Sequence, residues 1–137
     1  MDTAPFLTSL AAGESSEFIY TWVNAAGVTD SVGPGEGLSV SLGFGESDAD
    51  PETEWFWTET SYNTDKDGLE AGDLANDEFS GVIEAPETPG TYRYAARARI
   101  GEGPWLHCDL GGEACGGDGS QDGFSVESSG ELLVTAP

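Results

Sequence analysis

Apolar and polar residues alternate with a period of two in short runs that recur roughly every ten residues, with Gly, Pro, Asn and Asp between them. Residues 17–23 place Phe18, Tyr20 and Trp22 on one face of a strand. Residues 38–44 give the cleanest alternation in the chain, and 55–60 put Trp55 and Trp57 on a common face. Phe79, Gly81 and Ile83 mark a further strand. Residues 88–100 open on a Pro89-Gly90 turn and then carry Tyr92, Tyr94, Ala96, Ala98 and Ile100 on one face. Arg93, Arg97 and Arg99 take the other face, so the tyrosines are expected in the core and the arginines outside. Segments 105–108, 124–126 and 132–134 supply the remaining strands. No helical period is present, and Gly68 and Gly72 discourage more than a single turn over 69–74. The pattern predicts one domain over residues 1–137, an all-β antiparallel sandwich of seven to eight strands, with 63–76 and 111–123 as long acidic loops.

Composition sharpens this picture. The chain has 26 acidic residues against 4 Lys and Arg, a formal net charge of −22. Binding phosphates requires clustered cations, so nucleic acid and anionic lipid headgroups are excluded as partners. The charge favours solubility and divalent cations, and it suits saline surroundings. High charge is also a mark of disorder, but 4 Trp, 4 Tyr and 6 Phe set within alternating runs argue for a packed core. No apolar run is long enough to span a bilayer as a helix, and direct membrane insertion is not expected. Met1-Asp2-Thr3 does not open a signal peptide, and the last residues follow directly on a strand. The first observation leaves a cytoplasmic chain or an excised mature domain, and the second favours a domain cut from a longer protein.

Cys108 and Cys115 bracket six residues, two of them glycine, and are expected to close a small disulfide loop contributing about 2 kcal/mol. Free thiols are the alternative, whereas a zinc site lacks ligands because His107 is the sole histidine. A disulfide implies an oxidising, extracellular or cell-surface location.

Three segments carry a family resemblance: 75–86 (ANDEFSGVIEAP), 89–97 (PGTYRYAAR) and 105–110 (WLHCDL). Together they resemble immunoglobulin-like modules of secreted multidomain bacterial proteins, of the starch-binding accessory type. The resemblance covers about the C-terminal half. It implies an immunoglobulin-like sandwich in which the Tyr92 hydroxyl bonds back to the preceding corner.

Candidate chemistry falls into three groups. Asn63, Asp65 and Asp67, followed by Gly68, match the first half of a calcium loop, in which alternate oxygens converge and glycine makes the turn. Counted from Asn63, the twelfth residue is Leu74 instead of Glu, so Asp73 would have to substitute. A solvated Asx turn explains the same residues without metal. Asp109, Asp118 and Asp122 form a looser second set. Trp55, Trp57 and Tyr62 would make an aromatic platform for sugar rings, with Trp105 and His107 as a second edge, although a sandwich core also needs such residues. Arg93, Arg97 and Arg99 are expected to pair with carboxylates of neighbouring strands. His107 has no nucleophile in an elbow motif, so no enzyme activity is expected. The sequence thus reads as a noncatalytic extracellular module that recognises polysaccharide and carries calcium. A structural or adhesive spacer of a surface protein is the alternative, and docking to another surface protein a third.

Overall fold

The computed structural model describes residues 2–4, 7–25, 27–66, 76–108 and 129–137, with side chains at all of these except 2–4, 7, 8, 66 and 108. Among the described residues there are ten strands and no helix: β1 (Asp2–Ala4), β2 (Leu7–Ala11), β3 (Ile19–Val23), β4 (Leu38–Glu46), β5 (Phe56–Glu59), β6 (Ser61–Lys66), β7 (Asn76–Gly81), β8 (Gly90–Ile100), β9 (Leu106–Cys108) and β10 (Gly130–Thr135). They form two sheets, one ordered β1-β3-β7-β6 and one ordered β2-β10-β8-β4-β5, with β9 also paired to β8. Every pairing is antiparallel except β2 with β10. The long strand β8 organises the larger sheet. Its whole second half and most of its first run beside β4, while β10 takes Gly90 to Tyr94 and β9 takes Ala96 to Ala98 on the opposite edge.

The two sheets share an apolar core, as in a β-sandwich. Ile19 of the smaller sheet packs in one cluster with Leu42, Tyr92, Tyr94, Ala96, Leu132 and Val134 of the larger. Val23, Val40, Phe79 and Ala98 make a second cluster nearer one end. Strand alternation explains the membership, because Tyr94, Ala96, Leu42 and Ile19 are almost wholly shielded and all stand on inward positions. The expected inward face of β8 therefore holds from Tyr92 to Ala98, while Ile100 at its end is half exposed.

Tyr92 donates its hydroxyl to the carbonyl of Thr88 at 2.8 Å, closing the corner that leads into β8. Replacing Tyr92 by Phe removes that bond and leaves the ring, so a loss of about 1–1.5 kcal/mol is expected. Urea unfolding of the two proteins checks it, and an unchanged midpoint would mean that the corner holds without its bond.

Three elements differ from the sequence reading. β1 and β2 are too short to show alternation, and their pairing with β3 and β10 comes from the tertiary fold. Residues 63–66, expected in a loop, belong to β6, which pairs with β7 through a bulge between Tyr62 and Thr64. Its polar sequence hides a strand because it lies at a sheet edge and buries little besides Tyr62. The expected strand at 124–126 and the loop at 111–123 lie outside the described residues.

Candidate functional site

The outer face of the larger sheet is built around two glycines. Gly43 and Gly45 on β4 stand beside Ala95 and Arg93 of β8, and Gly43 also faces Trp57 of β5. A side chain on Gly43 would run into the Trp57 ring, and one on Gly45 into Trp55. The glycines thus leave the space into which both indoles fold, with ring centres 5.8 Å apart and planes inclined by 26°. Trp57 is pinned by its indole N–H, which donates to the Pro51 carbonyl at 2.8 Å.

Arg97 lies against this group. Its guanidinium carbon is 4.2 Å from the Trp57 ring centre and 4.0 Å from that of Trp105, and the Arg99 carbon is 4.4 Å from the Trp105 ring centre. Stacking of this kind contributes about 0.5–2 kcal/mol per contact, more as water is excluded. His107, opposite Arg97 in the register of β8 and β9, packs edge-on to Trp57 at 5.4 Å. Burial and then the Arg97 charge hold the His107 imidazole below its ordinary pKa. The folded state therefore resists protonating His107, and its contribution to stability is lost as pH falls below the ordinary histidine range.

Four of the five residues expected to form an aromatic platform, Trp55, Trp57, Trp105 and His107, are brought together here. Tyr62 is not; it sits on the other sheet against Phe79, with ring centres 5.9 Å apart. The assembled rings are also packed by protein groups. Trp55 and His107 are buried, and Trp57 and Trp105 are half-buried. The arginine expectation needs correction, since Arg97 and Arg99 form no ion pair with any described residue and lean on indoles instead. The guanidinium groups lie over Trp57 of β5 and over Trp105, which precedes β9, instead of meeting the carboxylates that a count of acids suggests. Arg93 donates from Nη1 to the Ser129 carbonyl at 3.1 Å.

The outer face of the smaller sheet carries residues that the sequence reading left out of its candidate site. Ile19, Thr21 and Val23 of β3 point inward, so Phe18, Tyr20 and Trp22 point to solvent. Phe18 is 61% exposed and Tyr20 43%, large values for aromatic rings. Their ring centres are 6.5 Å apart, close to the two-residue repeat of a strand. Polar groups flank the row. Ser80 is paired with Tyr20 on one side and Ser61 on the other, and Glu78 is paired with Trp22. Glu78 accepts from Trp22 Nε1 at 2.6 Å and from Asn63 Nδ2 at 2.7 Å. Asn24 Nδ2 donates to Asn76 Oδ1 at 3.2 Å. The alternation of 17–23 was the available signal; what it lacked was a sign of which face lies outside.

The proposed calcium residues divide. Asn63 reaches Glu78 on the outer face, whereas Asp65 stands opposite Asp77 on the inner one. Asp65 accepts the Gly33 N–H on both oxygens, at 3.2 and 3.1 Å, and the Tyr62 hydroxyl at 2.8 Å. These donors occupy lone pairs that a cation would use. Asp77, wholly buried, accepts the Gly35 N–H on Oδ2 at 2.6 Å, and its Oδ1 has no partner. Desolvation raises the Asp77 pKa, opposed by the Gly35 bond and reinforced by the Asp65 charge. Burial, then the bond to Asp65, push the Tyr62 hydroxyl up to about 12. Together the two carboxylates pin the segment around Gly33 and Gly35 to the sheet. Asp67, Asp73, Asp109, Asp118 and Asp122 lie outside the described residues, as does the Cys108–Cys115 pairing.

No protein-family model matches the chain, and a search of curated proteins finds no match.

Proposed function

We propose that the chain is a noncatalytic, extracellular glycan-binding module of the immunoglobulin-like kind, and that the β3 row of Phe18, Tyr20 and Trp22 is its contact surface. The exposure of that row carries the reading. Aromatic rings spaced along a strand, here Phe18 and Tyr20 with planes inclined by 41°, take the apolar faces of successive sugars, and the adjacent Asn24, Asn63, Ser61 and Ser80 offer partners to hydroxyls. The sheet orders support the fold assignment. β1-β3-β7-β6 follows the A-B-E-D sheet of an immunoglobulin domain, and β10-β8-β4-β5 follows G-F-C-C′. The bond from Tyr92 to Thr88 is the corresponding corner. A spacer domain without a small ligand is the second reading, favoured by the packing of Trp55, Trp57 and Trp105 among protein groups.

Affinity electrophoresis through neutral and acidic polysaccharides tests this. Tyr20→Ala removes an exposed ring, so it is expected to weaken binding about tenfold while costing no more than about 1 kcal/mol of stability. Retardation in a neutral polysaccharide that Tyr20→Ala leaves unchanged would take the contact surface off the β3 row, and no retardation of the parent chain in any polysaccharide would turn the assignment toward the spacer.

A further inference from the structure

We infer that Arg97 and Arg99 form a second ligand site, on the sheet face remote from the β3 row, which binds the carboxylate or sulfate group of an acidic saccharide. Only the choice of a saccharide as the bearer of the anion rests on the function proposed above; the anion site itself rests on the arginines. Arg93, Arg97 and Arg99 are three of the 4 cations in a chain with 26 acids. Yet Arg97 and Arg99 make no ion pair with a described residue. Burial and then the Arg99 charge hold the Arg97 pKa below its ordinary value, and Glu52 opposes them without pairing. Two like charges are thus held side by side with no counter-ion supplied by the described residues.

The geometry is also preorganised. Trp57 and Trp105 stack on the guanidinium groups, so each fork loses little further freedom when it meets a planar oxyanion. The Nε atoms of both arginines are buried and without a hydrogen bond, which is a cost to the fold. Their Nη atoms are not among the buried unpartnered atoms and carry no hydrogen bond to a described residue, so these are the ends left for a ligand. Ser39 and Ser41 of β4 stand opposite Arg99 and Arg97 on the same face and add hydroxyl groups to the rung. At physiological salt the screening length is about 8 Å, so distant acids do little to repel an anion that has reached this face.

The test is a titration of nitrogen-15-labelled protein with sodium sulfate, sodium glucuronate and glucose, each at constant ionic strength made up with sodium chloride, reading the arginine Nε–H resonances. Saturable shifts of two Nε–H resonances are expected with sulfate or glucuronate and none with glucose, and the stronger of the two ions identifies the group recognised. Arg99→Gln should weaken this response at least tenfold and Arg99→Lys less, with both variants folded by their amide spectra. Tyr20→Ala should leave it unchanged, and Arg99→Gln should leave binding of a neutral polysaccharide unchanged. Shifts that follow ionic strength alone, or that survive Arg99→Gln, overturn the site. An anion response in a parent chain that binds no neutral polysaccharide, or neutral-polysaccharide binding without an anion response, tells which of the two surfaces fails.

Discussion

Substituting Trp57 by Ala is expected to cost about 3–5 kcal/mol, the usual range for deleting a packed tryptophan. That corresponds to a fall in the thermal midpoint of roughly 10–20 °C for a domain of this size. The magnitude follows from what the ring does. It fills the space above Gly43, stacks on Trp55, covers one side of Arg97 and meets His107. Its N–H also holds the turn before β5 through Pro51. Alanine leaves a cavity that Gly43 cannot fill. The exposed Phe56, one residue earlier, is the control, and Phe56→Ala should change stability by no more than about 1 kcal/mol. A second readout separates packing from a general loosening. Burial and Arg97 depress the His107 pKa, so opening this face should return the imidazole toward its ordinary range, visible in a proton NMR titration. A loss below about 1 kcal/mol with an unmoved His107 would show that Trp57 is a surface ring after all, available to a ligand.

The same face shows how far the sequence could be read. Alternation in β4 and β8 was enough to place Leu42 and Tyr94 inside and Arg97 and Arg99 outside, because each strand has one plainly apolar set. In β3 both sets are apolar. Ile19, Thr21 and Val23 compete with Phe18, Tyr20 and Trp22, and only the neighbouring sheet decides that the smaller set is buried. The alternation therefore puts Phe18, Tyr20 and Trp22 on one face without showing that this face is the outer one. Gly43 and Gly45 carry no signal of their own in the sequence, and only the fold shows that indoles stand above them. Asn63 and Asp65 suit a metal loop and an edge strand equally in composition. Their separation by a bulge, with Asp65 turned toward Asp77, depends on a partner strand eleven residues further on.

That inner carboxylate gives the second large expectation. Asp77→Asn is expected to stabilise the protein at neutral pH by about 1–3 kcal/mol, the scale of a buried polar atom left without a partner. The native carboxylate is wholly buried, faces Asp65 across the strand pair, and has one oxygen satisfied by Gly35 and one by nothing. Asparagine keeps an oxygen for the Gly35 N–H, removes the charge that Asp65 opposes, and replaces the unpartnered oxygen by an amide nitrogen. The sign of the pH dependence follows from the raised pKa of Asp77. The folded state holds this proton more tightly than the unfolded chain, so the contribution of Asp77 is fully present below the ordinary carboxylate pKa and is lost as pH rises through the folded value. The variant cannot titrate here. Its advantage over the parent should therefore be largest at neutral pH and shrink toward acid, until near pH 3 the two proteins differ by less than about 0.5 kcal/mol. Urea unfolding of both chains across this range measures the difference directly. His107 and the overall negative charge act alike on both and cancel from it. A difference that stays constant with pH would mean that Asp77 titrates alike in the folded and unfolded chains, and one that grows toward acid would mean that the fold keeps it ionised. A variant less stable at every pH would mean that the segment around Gly35 requires the full charge of the carboxylate.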